Sequence, residues 1–202
     1  MARSGRKRGD EARQRGTRAA LVDATIATLA SRGFSETSAR AVAERAGVAP
    51  GGVFYHFGSM DDLLAEVFTT CLDRRITRLR AALDVPVTGL SAAFTAAVRD
   101  EFAHPESRAV LELVVGAITS PLLAERVRAG LEQSVAFTRE VINTLLADSP
   151  LAAILPLELV AQVAASAFFG LAVMDLVGAE VDIDGMAELV DMLVELTVAD
   201  PP

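Results

Sequence analysis

The spacing of the apolar residues most limits what this 202-residue chain can fold into. They recur every three or four positions along most of its length, and no segment shows convincing alternation with a period of two. Val22, Ile26 and Leu29 fall at i, i+4 and i+7, and Met186, Leu189, Leu193 and Leu196 at i, i+3, i+7 and i+10. Such spacing lays one apolar stripe along each helix and does not suit a sheet. Composition agrees: 51% of residues are hydrophobic, Ala and Leu abound, Tyr occurs once and Trp not at all. The expected fold is all-α.

Capping and breaking residues divide the pattern. Thr17 can cap a first helix, and Gly33 supplies a left-handed stop with Phe34 just beyond it. Thr37 or Ser38 can cap a second, which carries Ala39, Val42, Ala43 and Ala46 and breaks at Gly47. A short third helix lies within residues 49–57, with Pro50 suited to its first turn, and Ser59 can cap a fourth running to about Leu83. Helices over about 91–103, 106–118, 121–147 and 156–176 follow, and Asp182 or Asp184 opens a last one, giving about nine. Short helices followed by long ones imply a small N-terminal unit on a larger bundle. The expected division is a flexible basic arm over 1–16, a helix-turn-helix domain over 17–58 and a larger helical domain over 59–202.

The net charge of −8 hides an asymmetry. Residues 1–60 hold ten Lys or Arg and five Asp or Glu, a balance of +5; the rest hold nine and twenty-two, a balance of −13. A basic head on an acidic body suits a reader of nucleic acid, although a solubilising tail would look the same by charge alone.

Other classes find little support. Cys71 is the single cysteine, so no intramolecular disulfide forms, and His56 and His104 do not complete a zinc site. A reducing cytoplasm fits best. The Arg-rich N-terminus lacks the apolar run of a secretory signal. The most apolar stretch, Leu159 to Met174, is interrupted by Gln162 and falls short of the roughly 20 residues that span a bilayer, so it reads as a buried helix with no membrane partner. No Gly-rich phosphate loop, Gly-x-Ser-x-Gly elbow or catalytic triad is present, which argues against an enzyme and against a cofactor.

Residues 37–47 and 49–57, two short helices joined by a glycine turn, have the layout of a helix-turn-helix whose second helix enters the major groove of double-stranded DNA. A protein-binding adaptor, or a ligand-binding protein without sequence-specific DNA binding, is the alternative.

Several features in order then resemble the TetR family of regulators. They are Gly33-Phe34, Thr37-Ser38, the run Val42-Ala43-Glu44-Arg45-Ala46-Gly47-Val48, the run Gly51-Gly52-Val53-Phe54-Tyr55-His56-Phe57, and Leu63-Leu64. The resemblance implies that Thr37 or Ser38 donates to a phosphate and that Arg40 projects toward backbone or base edge. It places Ala49, Pro50, Gly51 and Gly52 closest to the groove, with Tyr55 and His56 on phosphates or bases. The chain departs from the family pattern at Ala49, Pro50, Phe54 and Met60, where polar or hydroxyl-bearing side chains are usual. Direct reading by the third helix is therefore expected to be sparse. Arg40, Tyr55 and the arm residues Arg6, Lys7 and Arg8 carry more of the load, the arm by lying in a narrow minor groove. Phe54 and Phe57 are expected in the core.

The resemblance also implies a ligand cavity within residues 90–178, with Phe94, Val98, Phe102, Leu111, Val115, Phe137, Val141 and Phe168 as candidate lining residues, although each taken singly fits plain core better, since apolar stripes normally pack. Arg108, Glu112, Gln133, Gln162 and Asp175 are possible polar anchors. Such a lining suits a small, mostly apolar effector. The last two helices, with Ala164, Ala167, Leu171, Leu189 and Leu193, can pair with those of a second copy as a four-helix interface. A homodimer is expected because one short motif buries too little surface for specific binding. By resemblance the commoner polarity is repression, with ligand releasing the DNA.

Overall fold

A computed structural model describes residues 2–85, 90–146 and 150–198, with the backbone alone for residues 2–10, 90, 91, 145, 150, 151, 190, 191 and 193–198. Among these residues all regular structure is helical. The helices are α1 (Ala2–Arg32), α2 (Ala39–Ala46), α3 (Gly52–Phe57), α4 (Met60–Ala82), α5 (Leu90–Ala103), α6 (Pro105–Gly116), α7 (Pro121–Leu145), α8 (Leu157–Leu176) and α9 (Ile183–Val198), with one 3-10 turn at Pro150–Ala153.

The stops and caps explain most of these limits. Ser38, in extended conformation, accepts the Ala41 N–H and caps α2. Its C-terminus is a Schellman motif: Gly47 sits at φ 66°, Gly47 N–H bonds Glu44 O at 3.2 Å, and Val48 N–H bonds Ala43 O at 3.0 Å. Ser59 Oγ accepts the Asp62 N–H at 3.0 Å at the start of α4, and Ser120 Oγ accepts the Leu123 N–H at 3.3 Å at the start of α7.

The arm departs from expectation. Helix α1 does not begin at Thr17; it begins at Ala2. Thr17 caps nothing, and its hydroxyl donates to the Arg13 carbonyl one turn back at 3.1 Å. Residues 2–16 are polar, which reads as disorder by composition, but many are Ala, Arg, Lys, Glu and Gln, which carry good helix propensity. The third helix is also shorter than expected, because Ala49, Pro50 and Gly51 form the turn before it.

The chain groups into two units. The first joins residues 1–72 to residues 108–128, and the second joins 73–107 to 129–202. The expected boundary after residue 58 is therefore not where the division falls. Within the first unit, α1, α2 and α3 pack on one another over Leu21, Leu29, Val42, Val53 and Phe57, while Leu63, Val67 and Phe68 of α4 are buried too. Residues 108–128 belong here for specific reasons. Glu112 accepts the Phe34 N–H at 2.8 Å, and Ser120 Oγ donates to Asp61 Oδ2 at 3.1 Å. The Phe34 ring fills the space above Gly116, where a Cβ would stand only 2.1 Å from Phe34 Cε2.

In the second unit α5 packs on α9. Arg74, Arg75 and Arg78 of α4 meet Glu101 of α5 and Glu106 of α6 in a cluster of ion pairs. Helix α8, expected to be buried, has only Ala161, Ala165 and Ala172 inside the chain. At 20 residues and mean hydropathy 1.8 it is long and apolar enough to cross a membrane by length and composition, as core helices of soluble proteins also are.

Candidate functional site

The first site is built from α2, its turn and α3. Val53 and Phe57, one turn apart, point into the core and fix the roll of α3. The opposite face is open: Phe54 is 55% and Tyr55 73% exposed. The expectation that Phe54 is core is therefore wrong. Position 54 turns about 100° from Val53, to the rim of the buried face rather than its centre, and no neighbouring element covers its ring.

Arg18 of α1 holds the end of α3. Its guanidinium donates Nε to Glu66 Oε1 of α4 at 2.9 Å and Nη2 to Glu66 Oε2, donates Nη1 to the His56 carbonyl, and lies 4.1 Å from the Phe57 ring centroid. One cation thus satisfies a C-terminal carbonyl of α3, favours the negative end of its dipole and ties three helices together. Gln14 Nε2 donates to the Tyr55 hydroxyl at 3.2 Å, and the Tyr55 and His56 rings meet edge to face with centroids 4.9 Å apart. Glu11, Gln14, Arg15 and Arg18 of α1 share a cleft with Tyr55 and His56. Sequence reasoning missed Gln14 and Arg15 as neighbours of α3 because it began the first helix at Thr17, and it missed Arg18, inside that helix, because nothing in the apolar pattern marks which polar residue faces another helix.

The other expected DNA-facing residues fall as follows. Arg40 is exposed on α2, and Ala49, Pro50 and Gly51 are exposed in the turn. Ser38 is the cap of α2, while the half-buried Thr37 donates its hydroxyl to the Gly33 carbonyl at 2.8 Å. A Cβ on Gly52 would stand 3.1 Å from Val48 Cγ2, so its smallness serves packing within the motif, whereas the space around Gly51 is open. Arg6, Lys7 and Arg8 lie on α1, with side chains outside the described residues.

The second unit holds a cavity of about 390 Å³ between α4, α5, α7, α8 and α9. Phe94, Val98, Phe137, Val141 and Phe168 line it as expected. Phe102 does not line it but meets Phe168 at 5.6 Å between ring centroids. Leu111 and Val115 are on the part of α6 that belongs to the first unit, where Val115 is exposed, and neither lines the cavity. Nothing in an apolar stripe tells which unit a helix joins. None of the five suggested polar anchors lines the cavity either; Glu112 holds Phe34, and Gln133 reaches Asp73 at 3.4 Å. The charged side chain that does line it is Arg75, missed because it stands in the run Asp73-Arg74-Arg75, which looks like a solvated face.

Of the residues expected at a dimer interface, Ala164, Ala167, Leu171 and Leu189 also line this cavity. Ala164, Ala167 and Leu189 are exposed and Leu171 half-buried; Leu193 lies on α9, its side chain outside the described residues. Helix α8 presents Leu159, Val163, Ala167, Gly170 and Val173 along one exposed stripe.

Comparison with known proteins fits this arrangement. The family model for bacterial regulatory proteins of the tetR family matches residues 21–67. The chain is 32% identical over 148 residues to an uncharacterised HTH-type transcriptional regulator of Mycobacterium tuberculosis, a match covering 72% of this chain and 73% of the relative. A solved TetR transcription regulator from Haloarcula marismortui superposes with a TM-score of 0.72 at 16% identity, covering 90% of this chain and 98% of that one. The multidrug binding protein EbrR, solved with imidazole, superposes with a TM-score of 0.63 at 21% identity, covering 92% of this chain and 96% of that one. The chain belongs to the TetR family and is a helix-turn-helix transcriptional regulator.

Proposed function

We propose that the protein is a ligand-responsive repressor that binds a palindromic DNA site as a homodimer and leaves it when a small, largely apolar effector occupies the second unit. The observation that carries the reading is the uncovered stripe on α8. Val163 is 60% and Leu159 56% exposed, and small residues between them and Val173 leave a flat strip suited to another helix. Apolar surface of this kind marks an interaction site. A second copy is the occupant that also supplies a second reading head, and a dimeric helix-turn-helix protein needs two heads about 34–36 Å apart to read successive turns of a duplex.

The heads are α3 with Phe54 and Tyr55 outward, backed by Arg40 of α2 and the basic start of α1. The cavity at Phe94, Phe137 and Phe168 supports the effector half of the reading. An effector changes DNA affinity only through its differential affinity for the arrangements that bind and do not bind DNA.

The test combines solution mass by light scattering with gel shifts on the duplex just upstream of the protein's own gene, at two salt concentrations. A dimer is expected, with affinity falling steeply as salt rises. Val163→Arg should give a folded monomer that has lost specific binding. A monomeric parent protein, or one indifferent to duplex DNA at low salt, would overturn the reading.

A further inference from the structure

Resting on the reading of this cavity as the effector site, we propose that the effector is an apolar molecule bearing one carboxylate, and that Arg75 receives the carboxylate. The walls supply the apolar half: Phe94, Phe137, Phe168 and Phe169 surround a space near the lower end of the roughly 300–1,000 Å³ usual for ligand pockets. Arg75 is the one charged side chain among the described lining residues, and it is only 6% exposed.

The partners of Arg75 leave its charge poorly met. Its guanidinium carbon lies 4.3 Å from the Phe168 ring centroid and 5.3 Å from that of Phe169, so both rings steady it without accepting a hydrogen bond. Its ion contact is Nε to Glu101 Oε1 at 3.3 Å, and among the described residues no hydrogen bond holds the guanidinium. Glu101 is divided among several claimants. Oε1 also accepts the Ser107 hydroxyl at 2.7 Å, and Oε2 accepts Arg78 Nη2 at 3.0 Å.

Arg75 therefore shares Glu101 with Arg78, which also reaches Glu106. Arg78 Nε is buried with no hydrogen-bond partner among the described residues. Burial pushes the Arg75 guanidinium below its usual range, Glu101 opposes that, and Arg78 adds to it. A buried cation with free donors in an apolar chamber is matched by one incoming carboxylate, which forms a fork with the planar guanidinium. A dianionic phosphate would bring a second charge into apolar surroundings with nothing to meet it.

The test is calorimetric titration of the full chain with two probes of equal length, decanoate and decan-1-ol. Decanoate is expected to bind about tenfold or more tighter than decanol, the margin of a charge-assisted hydrogen-bonded pair. Arg75→Met should bring decanoate down to the affinity of decanol and leave decanol within about twofold, because the apolar walls remain. Should Arg75→Met unfold by stranding Glu101, the double variant Arg75→Met/Glu101→Gln removes both charges together and serves instead. If decanol binds as tightly as decanoate, or if decanoate is indifferent to loss of Arg75, the carboxylate assignment fails while the cavity stands as an effector site. If neither probe binds, the effector reading of the cavity fails and takes the assignment with it.

Discussion

Arg18 and Glu66 form a two-point ion pair between α1 and α4, and the same guanidinium reaches the His56 carbonyl at the end of α3. The pair holds the end of α3 in place. Its side chains are 42% and 35% exposed, so solvent screens it and its share of global stability is modest. Arg18→Met is expected to cost about 1 kcal/mol in urea unfolding and to weaken DNA binding about tenfold or more, since α3 loses its C-terminal anchor. Anisotropy on the upstream duplex checks this; a variant that loses stability but keeps full DNA affinity would show that Arg18 is merely structural.

Phe54 and Tyr55 make a contrasting case. Both are exposed, so Phe54→Ala and Tyr55→Phe should leave the free energy of unfolding within about 0.5 kcal/mol of the parent. Each should weaken DNA binding by about 1 kcal/mol. Unchanged affinity in both variants would move the reading surface away from the outward face of α3.

Removing residues 1–12 tests the basic start of α1. Affinity for duplex DNA should fall, and the slope of log affinity against log salt should flatten by roughly 0.9 for each phosphate that is no longer neutralised. An identical slope before and after truncation would mean that Arg6, Lys7 and Arg8 do not touch phosphate.

Gly116→Ala puts a methyl 2.1 Å from Phe34 Cε2, a separation real atoms do not tolerate. The ring or α6 must shift, at a cost of about 1–3 kcal/mol in denaturant unfolding. The double variant Phe34→Leu/Gly116→Ala should recover part of that loss, and no recovery would show that Phe34 is not the obstacle.

Glu106 sets an acid limit on stability. Desolvation raises its pKa, but hydrogen bonds from Arg78 and Arg74 outweigh burial and hold the carboxyl below the usual carboxylate range. A depressed carboxyl contributes fully at pH values above its unfolded pKa and loses that contribution as pH falls through the folded one. The unfolding midpoint should therefore be flat near neutrality and fall below about pH 4.5, the ordinary value for this group. Glu106→Gln should cost about 2 kcal/mol at pH 7 and make the acid decline shallower. An equally steep decline in the variant would assign the acid sensitivity to other carboxyls.

Much of this architecture was legible in the residues. Ser38, Gly47, Ser59 and Ser120 carry local geometry in their own chemistry, so the limits of α2, α4 and α7 could be placed within a few positions. Readings failed where tertiary placement decides. Leu111 and Val115 have the same apolar character as Val98, yet α6 carries them into the first unit. Arg75 looks like a surface charge until Phe168 and Glu101 close over it. Residues 2–16 show the limit of composition, since polar helix formers and polar coil share one alphabet.

Helix α3 does two jobs with residues that do not overlap. Val53 and Phe57 secure it from inside, Arg18 grips its end through a main-chain carbonyl, and neither attachment depends on which side chains occupy positions 54 and 55. On the proposed DNA-facing role of α3, substitutions at those two places change the outward surface without disturbing the scaffold, a plug-in tip on a fixed handle through which new DNA addresses could be acquired one substitution at a time.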